Sequence, residues 1–500
     1  MIALALYNLL LFVLSPVILG YWLMRLSKGK EDRAHWRERW GNLPAGTLSA
    51  RSTGPRFWLH AVSVGELFAA KPVLRELRRR FPDALIVVST TTPGGREVAL
   101  KEAPQADAVI YYPLDFPFAV RRALHTVRPD VILLMEWEIW PNFLTTAKRL
   151  GARILVVNGR ISDRGLRRGL NPAAAFFTAP GLAAVDLFAM QSAEDARRAP
   201  LVGAEPARVQ TVGNTKFDES PAPVTPAEIV ALRADLGLTD ATVWVCGSTR
   251  NAPSGDPTPD EEAQIATAYQ QARTALPGLQ LILAPRHLDR ADAIVATLEA
   301  AGLRVRRRSR GVSPPAPSGG ALPVGGNVPL HPVLDSPSPL LPGAKEATAN
   351  PTRSSGTLAP AAQAAPPEGA GGENVDVLLL DTFGELARVY AVADVAFVGG
   401  SLVRQGGQSV FQPLAQGVPA LFGPYMNNQR DIAALALAEG VGFEVADAAA
   451  LAAAVVRIVG LPEGERAEIG RRARLLIERN QGVSGRCVEA AARLWEERRA

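Results

Sequence analysis

Residues able to do chemistry fall into two groups along this chain. The first group is mostly acidic. In "FWLHAVSVGELFAAKPVL", residues 57–74, an apolar run ends at Gly65, and a lone carboxylate, Glu66, stands where a helix-like pattern begins. In "MEWEIWPN", Glu136 and Glu138 follow directly on the apolar run 131–135, and "GNTKFD" adds Lys216 at the edge of a proline-rich stretch. The second group consists of turns suited to anions: "CGSTR", "APRH", "LDTFGEL" and "VGGS", each after an apolar run in the second half. Gly- and Ser/Thr-rich turns entering helices present backbone N–H groups and the positive end of the helix dipole to a ligand. Arg286 and His287 add charged donors of the kind a phosphate takes. None of these turns carries GxGxxG or GxxxxGK[ST], so neither a dinucleotide site nor a P-loop is expected. Singly, each has a plainer role: Glu66 as a dipole-favoured first-turn acid, Glu136 and Glu138 as loop acids, Lys216 as a surface lysine, "GSTR" as a cap. The signal is their convergence, with carboxylates in one half and anion-binding turns in the other.

The elements that must position them alternate. Apolar runs "FWLHAV", "ALIVVS", "AVIYY", "DVILLM", "RILVVN" and "VDLFAM" read as buried strands. Helix-like segments lie between them; around residues 74–81, Leu74, Leu77 and Phe81 share one face and Arg75 and Arg78 to Arg80 lie mostly off it. The pattern breaks at "ESPAPVTPAE", residues 219–228, and restarts with "TVWVCG", "LQLILA", "VDVLLL", "DVAFVG" and "VPALFG". Buried strands joined by helices mean parallel sheets covered on both faces. The fold class is therefore α/β: two Rossmann-like domains, 25–218 and 229–500, facing a cleft across a linker at 219–228. Ligands in such sheets bind beyond the carboxyl ends of the strands, where every candidate residue sits. Residues 309–373, dense in Pro, Gly, Ala and Ser, lack periodicity and read as a disordered insertion in the second domain.

The chain has 500 residues, of which 47% are hydrophobic, enough for sizeable cores. Its 54 basic and 49 acidic side chains leave a net charge of +5, a small excess that suits a phosphorylated ligand or an anionic membrane surface. No RNP-like or zinc-finger pattern points to nucleic acid. The two cysteines, Cys246 and Cys487, lie far apart and outside any CxxC, which fits a reducing compartment. Residues 1–24, "MIALALYNLLLFVLSPVILGYWLM", carry no charge, and Arg25, Lys28 and Lys30 follow. That length spans a bilayer core, and the flanking positive charge predicts an uncleaved membrane anchor with the rest of the chain on the cytoplasmic side. A cleaved signal would want a basic start and a small-x-small site, both missing; a helix docked in one leaflet is the other reading, with Tyr21, Trp22, Trp36 and Trp40 as interface residues. Arg33, Arg37 and Arg39, interleaved with those tryptophans, either hold the first domain to the lipid surface or belong to an ordinary mixed-charge helix.

The ordered set "HAVSVGE", "MEWEIWPN", "NGRISDR", "GNTKFD", "GSTR", "PRH", "DTFGEL" and "FVGGSL…GGQSVFQPLAQGVPALFGP" resembles the 3-deoxy-D-manno-octulosonic acid (Kdo) transferases of lipopolysaccharide synthesis. The resemblance covers nearly the whole chain, the N-terminal apolar segment included; only 309–373 is foreign to it. It implies a two-domain glycosyltransferase of the GT-B type at the inner membrane, moving Kdo from CMP-Kdo to the glucosamine disaccharide of a lipid A precursor with inversion. It implies Glu66 as the base that takes the acceptor proton, and Glu136 and Lys216 at transition-state positions. For CMP it implies Pro285 and Arg286, then Phe383, Gly384 and Glu385, and the loop Ser409, Val410, Phe411 and Gln412. It implies no cofactor and no metal.

One departure stands out. Where the family commonly reads "GGHN..EP", this chain has "GGQSVFQP", with Gln408, Ser409 and Gln412 in place of His, Asn and Glu. A glutamate suits a ribose as an ionised double acceptor; Gln412 accepts through one neutral oxygen. Either CMP-sugar binding survives in weakened form or the pocket has moved to another donor. Other readings are a different GT-B nucleotide-sugar enzyme, such as an epimerase, and a membrane-tethered sugar-nucleotide binder that has lost catalysis.

Overall fold

Fourteen described strands, all paired in parallel, build two seven-stranded sheets in the computed structural model of the chain. The structure describes residues 2–29, 32–44, 46–48, 53–238, 241–310 and 375–500, so the expected insertion lies, from residue 311 on, outside the described residues. The first sheet contains β1 (Arg56–His60), β2 (Leu85–Thr90), β3 (Ala108–Tyr111), β4 (Val131–Met135), β5 (Arg153–Gly159), β6 (Leu187–Met190) and β7 (Val209–Thr211). Its order is β3-β2-β1-β4-β5-β6-β7. The second contains β8 (Thr242–Thr249), β9 (Leu279–Pro285), β10 (Val305–Arg307), β11 (Val377–Leu379), β12 (Val395–Val398), β13 (Ala420–Phe422) and β14 (Gly442–Glu444), in the order β10-β11-β9-β8-β12-β13-β14. The first order reverses direction between β1 and β4; the second reverses between β8 and β12, with β10 outside β11 at its far edge. The neighbouring crossovers there leave on opposite faces and open a crevice beyond the strand ends.

The apolar runs read from the sequence all become strands. β1, β2 and β4 are buried along nearly their whole length, as strands covered by helices on both faces must be. The strands outside those runs, β7, β10 and β14, are each three residues long and partly exposed, too short and too polar for periodicity to register. The helix after β1, α2 (Val64–Arg80), buries Leu74 and Leu77, with Phe81 at its C-cap, and turns Arg75, Arg79 and Arg80 outward as the spacing requires. Each such buried leucine contributes about 1.5–3 kcal/mol.

One grouping differs from the expectation. The terminal helix Val483–Arg499, placed with the second domain by sequence position, packs into the core of the first. Val483, Cys487, Val488, Ala491 and Leu494 share a cluster with Leu67, Leu74 and Val131. Asp218 caps its start by accepting from the N–H groups of Gly482 (2.7 Å) and Ser484 (2.6 Å), and Arg498 near its end bonds Asp130 and the Gly151 carbonyl. Chain order says nothing about which sheet an apolar stripe finds. The N-terminal helix α1 (Ile2–Ser27) is long and apolar enough to cross a membrane. Arg39, for which the sequence left a lipid surface and an ordinary mixed-charge helix open, is buried: its guanidinium stacks on Tyr111 at 4.3 Å and donates to the Thr91 carbonyl at 2.7 Å. Its neighbour Glu38 is also internal, paired with Arg96 at 2.8 Å.

Candidate active site

Glu66 and Glu136, seventy residues apart in sequence, follow β1 and β4, adjacent strands at the reversal point of the first sheet. Ser63 caps α2 and bonds the Glu66 backbone N–H (3.3 Å), which fixes Glu66 in the first turn. The Glu66 carboxylate accepts from the Val62 N–H at 2.8 Å and the Ser63 hydroxyl at 3.0 Å, and only 8% of the residue is exposed. Burial pushes it up to about 7, against the pull of those two donors; the charges of Glu136 and Glu138 raise it further. No cation is recorded in an ion pair with it among the described residues. A carboxylate so placed is half-ionised near neutrality and free to accept a proton.

Glu136 sits in the left-handed region at φ 56°, its N–H bonded to the Val157 carbonyl at 2.9 Å. A non-glycine residue held there stores backbone strain of the kind that collects at functional sites. Glu138 accepts from the Trp140 indole N–H at 2.9 Å, and burial pushes it up to about 7. Asn158, near the end of β5 in the same left-handed conformation (φ 55°), accepts from the Thr215 N–H at 3.0 Å. This bond carries the turn Thr215–Glu219 over the sheet and presents Lys216, capped by Asn214 at 3.0 Å. Burial lowers the Lys216 ammonium, which feels Glu136, Arg160, Asp431 and Glu66 together. Glu66, Glu136 and Lys216 therefore converge on one place. Gln191, following β6, bonds Asn214 at 3.2 Å and reaches Asp431 at 2.7 Å, a bridge to the helix Arg430–Ala438 of the second domain. Sequence reasoning gave no role to Asn158, although it opens the "NGRISDR" motif, or to Gln191, whose only signal was position at a strand end.

In the second sheet, "GSTR" closes β8 and "VGGS" follows β12, again adjacent strands at the reversal point. They touch so closely that a Cβ on Gly399 would lie 2.5 Å from the Ser248 carbonyl oxygen, so only glycine fits. Both turns are held by Glu261, missed from sequence, at the start of helix Glu261–Ala275. Fully buried, its carboxylate accepts four backbone N–H groups, from Arg250 (2.9 Å), Gly400 (2.6 Å), Ser401 (2.9 Å) and Leu402 (2.9 Å). Beyond β9, Arg286 is half-buried and Arg250 and His287 lie within its field; burial lowers both arginines and His287. Neither Arg250 nor Arg286 has an ion pair recorded among the described residues, so this positive cluster is open to an anion.

Pro285 ends β9. Phe383 is exposed, Gly384 turns the chain at φ 86°, and Glu385 accepts from Thr382 (2.8 Å) and Arg308 (3.3 Å). Ser409 and Gln412 are half-buried, but Val410 and Phe411 point into the core, Phe411 against Phe217 at 4.9 Å. Their side chains are thus unavailable to a ligand, and only their backbone can face one. Among the described residues no group of three or more His, Cys, Asp or Glu is arranged to hold a metal ion.

Two parallel sheets, one bearing carboxylates and a lysine and the other an arginine cluster at its reversal point, build the two-domain fold of the GT-B type. The structure of a putative UDP-N-acetylglucosamine 2-epimerase from Listeria monocytogenes shares this fold, with a TM-score of 0.51 and 11% identity over 88% of this chain and 96% of that one. The family described as "3-Deoxy-D-manno-octulosonic-acid transferase (kdotransferase)" matches residues 34–219. The 3-deoxy-D-manno-octulosonic acid transferase of Bordetella pertussis is 30% identical over 497 residues, 97% of each chain. That of Haemophilus influenzae is 26% identical over 97% of this chain and 96% of its own. The chain belongs to the 3-deoxy-D-manno-octulosonic acid transferase family.

Proposed function

We propose that the chain transfers Kdo from CMP-Kdo to the glucosamine disaccharide of a lipid A precursor, with inversion, at the cytoplasmic face of the inner membrane. The observation that carries this reading is Glu66: buried, poised near neutrality, without a recorded ion-pair partner, and gathered with Glu136 and Lys216 at one reversal point. Glu66 takes the proton of the acceptor hydroxyl as its oxygen attacks the anomeric carbon. The bond from that carbon to the CMP phosphate breaks, and CMP leaves with the electron pair. General-base help of this kind is worth roughly 10²–10⁴-fold.

Arg286 and Arg250 take the phosphate charge in the second domain, and Pro285, Phe383, Gly384, Glu385 and the loop at Ser409–Gln412 border the nucleotide. Lys216 offsets negative charge on the departing phosphate or on the Kdo carboxylate. Glu136 orders its neighbours. In the test, purified chain is incubated with CMP-Kdo and a tetraacyl lipid A precursor, CMP release is followed, and the lipid is weighed by mass spectrometry. CMP release that needs both substrates, with a mass gain of whole Kdo units on the lipid, is the expected result. Binding of CMP-Kdo without release, or release without a lipid acceptor, refutes the reading.

A further inference from the structure

The helix α1 is long and apolar enough to cross a bilayer, yet it is fastened to the first domain along its length. Leu4, Tyr7, Leu11, Ser15, Ile18 and Trp22 recur at helical spacing and are half-buried, while Phe12, Val13 and Val17 on the other side are 75%, 63% and 70% exposed. Two pins hold it. Near its start, the Tyr7 hydroxyl donates to Asp115 at 3.0 Å, and the Asn142 side chain donates to Asn8 at 2.7 Å. Asp115 in turn accepts the N–H groups of Asn142 (3.0 Å) and Phe143 (2.8 Å), opening the helix that follows Glu136 and Glu138. Near its end, Trp22 lies under the buried Arg39 guanidinium at 4.4 Å.

Positions 7 and 22 are 15 residues apart, about 22 Å along the axis, most of the roughly 30 Å depth of a hydrocarbon core. Standing across the bilayer, the helix would drag Asp115, Asn142 and Arg39 into hydrocarbon, where ionisable groups are costly. Lying flat, it keeps both pins and buries its exposed apolar side. The helix Pro172–Ala184 packs beside it, with Tyr7 and Phe177 rings 6.3 Å apart, and exposes Phe176. Just before that helix, Arg164, Arg167 and Arg168 are exposed, and among the described residues their guanidinium groups have no hydrogen bond or ion pair.

We propose that α1 lies in the plane of an anionic lipid leaflet, strapped to the first domain, with both its ends on the same side of the membrane and Arg164, Arg167 and Arg168 set against the headgroups. Such a helix buries its apolar face at the headgroup boundary, and basic side chains beside it add electrostatic attraction. This assignment does not depend on the donor or acceptor proposed above.

Two experiments test it on the full chain. A short Gly/Ser extension bearing one cysteine is placed before Met1, and a second reporter, Glu465→Cys, is made separately; the native Cys246 and Cys487 are buried and do not interfere. Each is exposed to a membrane-impermeant maleimide in spheroplasts and in inside-out vesicles. Labelling of both reporters from the same side is expected; labelling from opposite sides means the helix crosses, and overturns the proposal. The second experiment measures partition of the purified chain onto phosphatidylcholine vesicles with and without phosphatidylglycerol. Wild type prefers the anionic vesicles, and R164E/R167E/R168E binds them about a hundredfold more weakly. Equal binding of variant and wild type overturns the assignment of the leaflet to this face.

Discussion

Replacing Glu66 with glutamine should make the protein more stable and nearly inactive. The carboxyl is pushed from 4.5 to about 7, chiefly by burial. At about 1.4 kcal/mol per pH unit, that difference amounts to roughly 3 kcal/mol of destabilisation once the group is ionised in both states. The sign follows from proton binding. The folded state holds its proton more tightly, so stability is greatest below about 4.5, falls as pH rises through the window to about 7, and stays low above it. Glutamine carries no charge and removes this loss. It keeps one oxygen for the Val62 N–H or the Ser63 hydroxyl but weakens the other bond, costing about 1 kcal/mol. The net expectation is a gain of about 2 kcal/mol at a pH of about 8 that turns into a loss of about 1 kcal/mol below the unfolded value of the carboxyl, where no ionisation penalty is left to remove. Urea unfolding at the two pH values reads it directly. Turnover should fall by about 10²–10⁴-fold, and the wild-type rate should rise with pH toward 7. That limb belongs to the carboxylate cluster as a whole, because Glu138 titrates in the same range. A Glu66→Gln protein that is less stable than wild type under alkaline conditions, or that keeps more than about a tenth of wild-type turnover, would refute the reasoning.

Four further outcomes are expected. Lys216→Met should lower kcat about a hundredfold, the scale of losing one charge-stabilising donor. It should also remove an alkaline limb that lies below the ordinary lysine range because burial lowers this ammonium; a pH–rate profile unchanged above neutrality counts against the assignment. Arg286→Ala should raise the KM for CMP-Kdo about ten- to a hundredfold with a smaller effect on kcat, as loss of a charge-assisted bond to phosphate does; a KM change confined to the lipid acceptor would relocate it. Glu261→Gln sets an amide NH₂ against two of the four N–H groups its carboxylate now accepts, costing about 4 kcal/mol; burial pushes this carboxyl up to about 7 as well, so removing its charge offsets roughly 3 kcal/mol of that above neutrality, and the expected result is a net loss of about 1 kcal/mol in thermal unfolding at a pH of about 8, larger at acidic pH, together with lost donor affinity. Gln412→Glu should leave the KM for CMP-Kdo level or lower it; a sharp loss of turnover would remove this residue from the nucleotide site.

The candidate site was legible because strand ends mark themselves. A run such as "DVILLM", short, apolar and bounded by polar residues, reads as a covered strand, and the polar residue after it then lies at the sheet's carboxyl edge. Glu66, Glu136 and the "GSTR" and "PRH" turns could therefore be placed before any coordinates. Glu261 escaped because an acid in a first helical turn looks the same whether it meets water or four backbone donors. Arg39 escaped in the opposite sense: an arginine between two tryptophans suits a lipid surface as well as it suits a buried stack on Tyr111. The backs of Val410 and Phe411 could not be told from their faces, since a short turn has no period.

The sequence by itself determined the α/β class, the two sheets and the family motifs, because apolar period and turn chemistry are local properties that survive without a partner. Only the tertiary structure decided which strands are neighbours, and so that Glu66 and Glu136 share one reversal point with Lys216 held above it by Asn158. It also decided that the last helix returns to the first domain and that α1 is strapped along its surface. These are contacts between residues separated by tens to hundreds of positions. Their free energy comes from complementary shape and paired polar groups that no single segment contains.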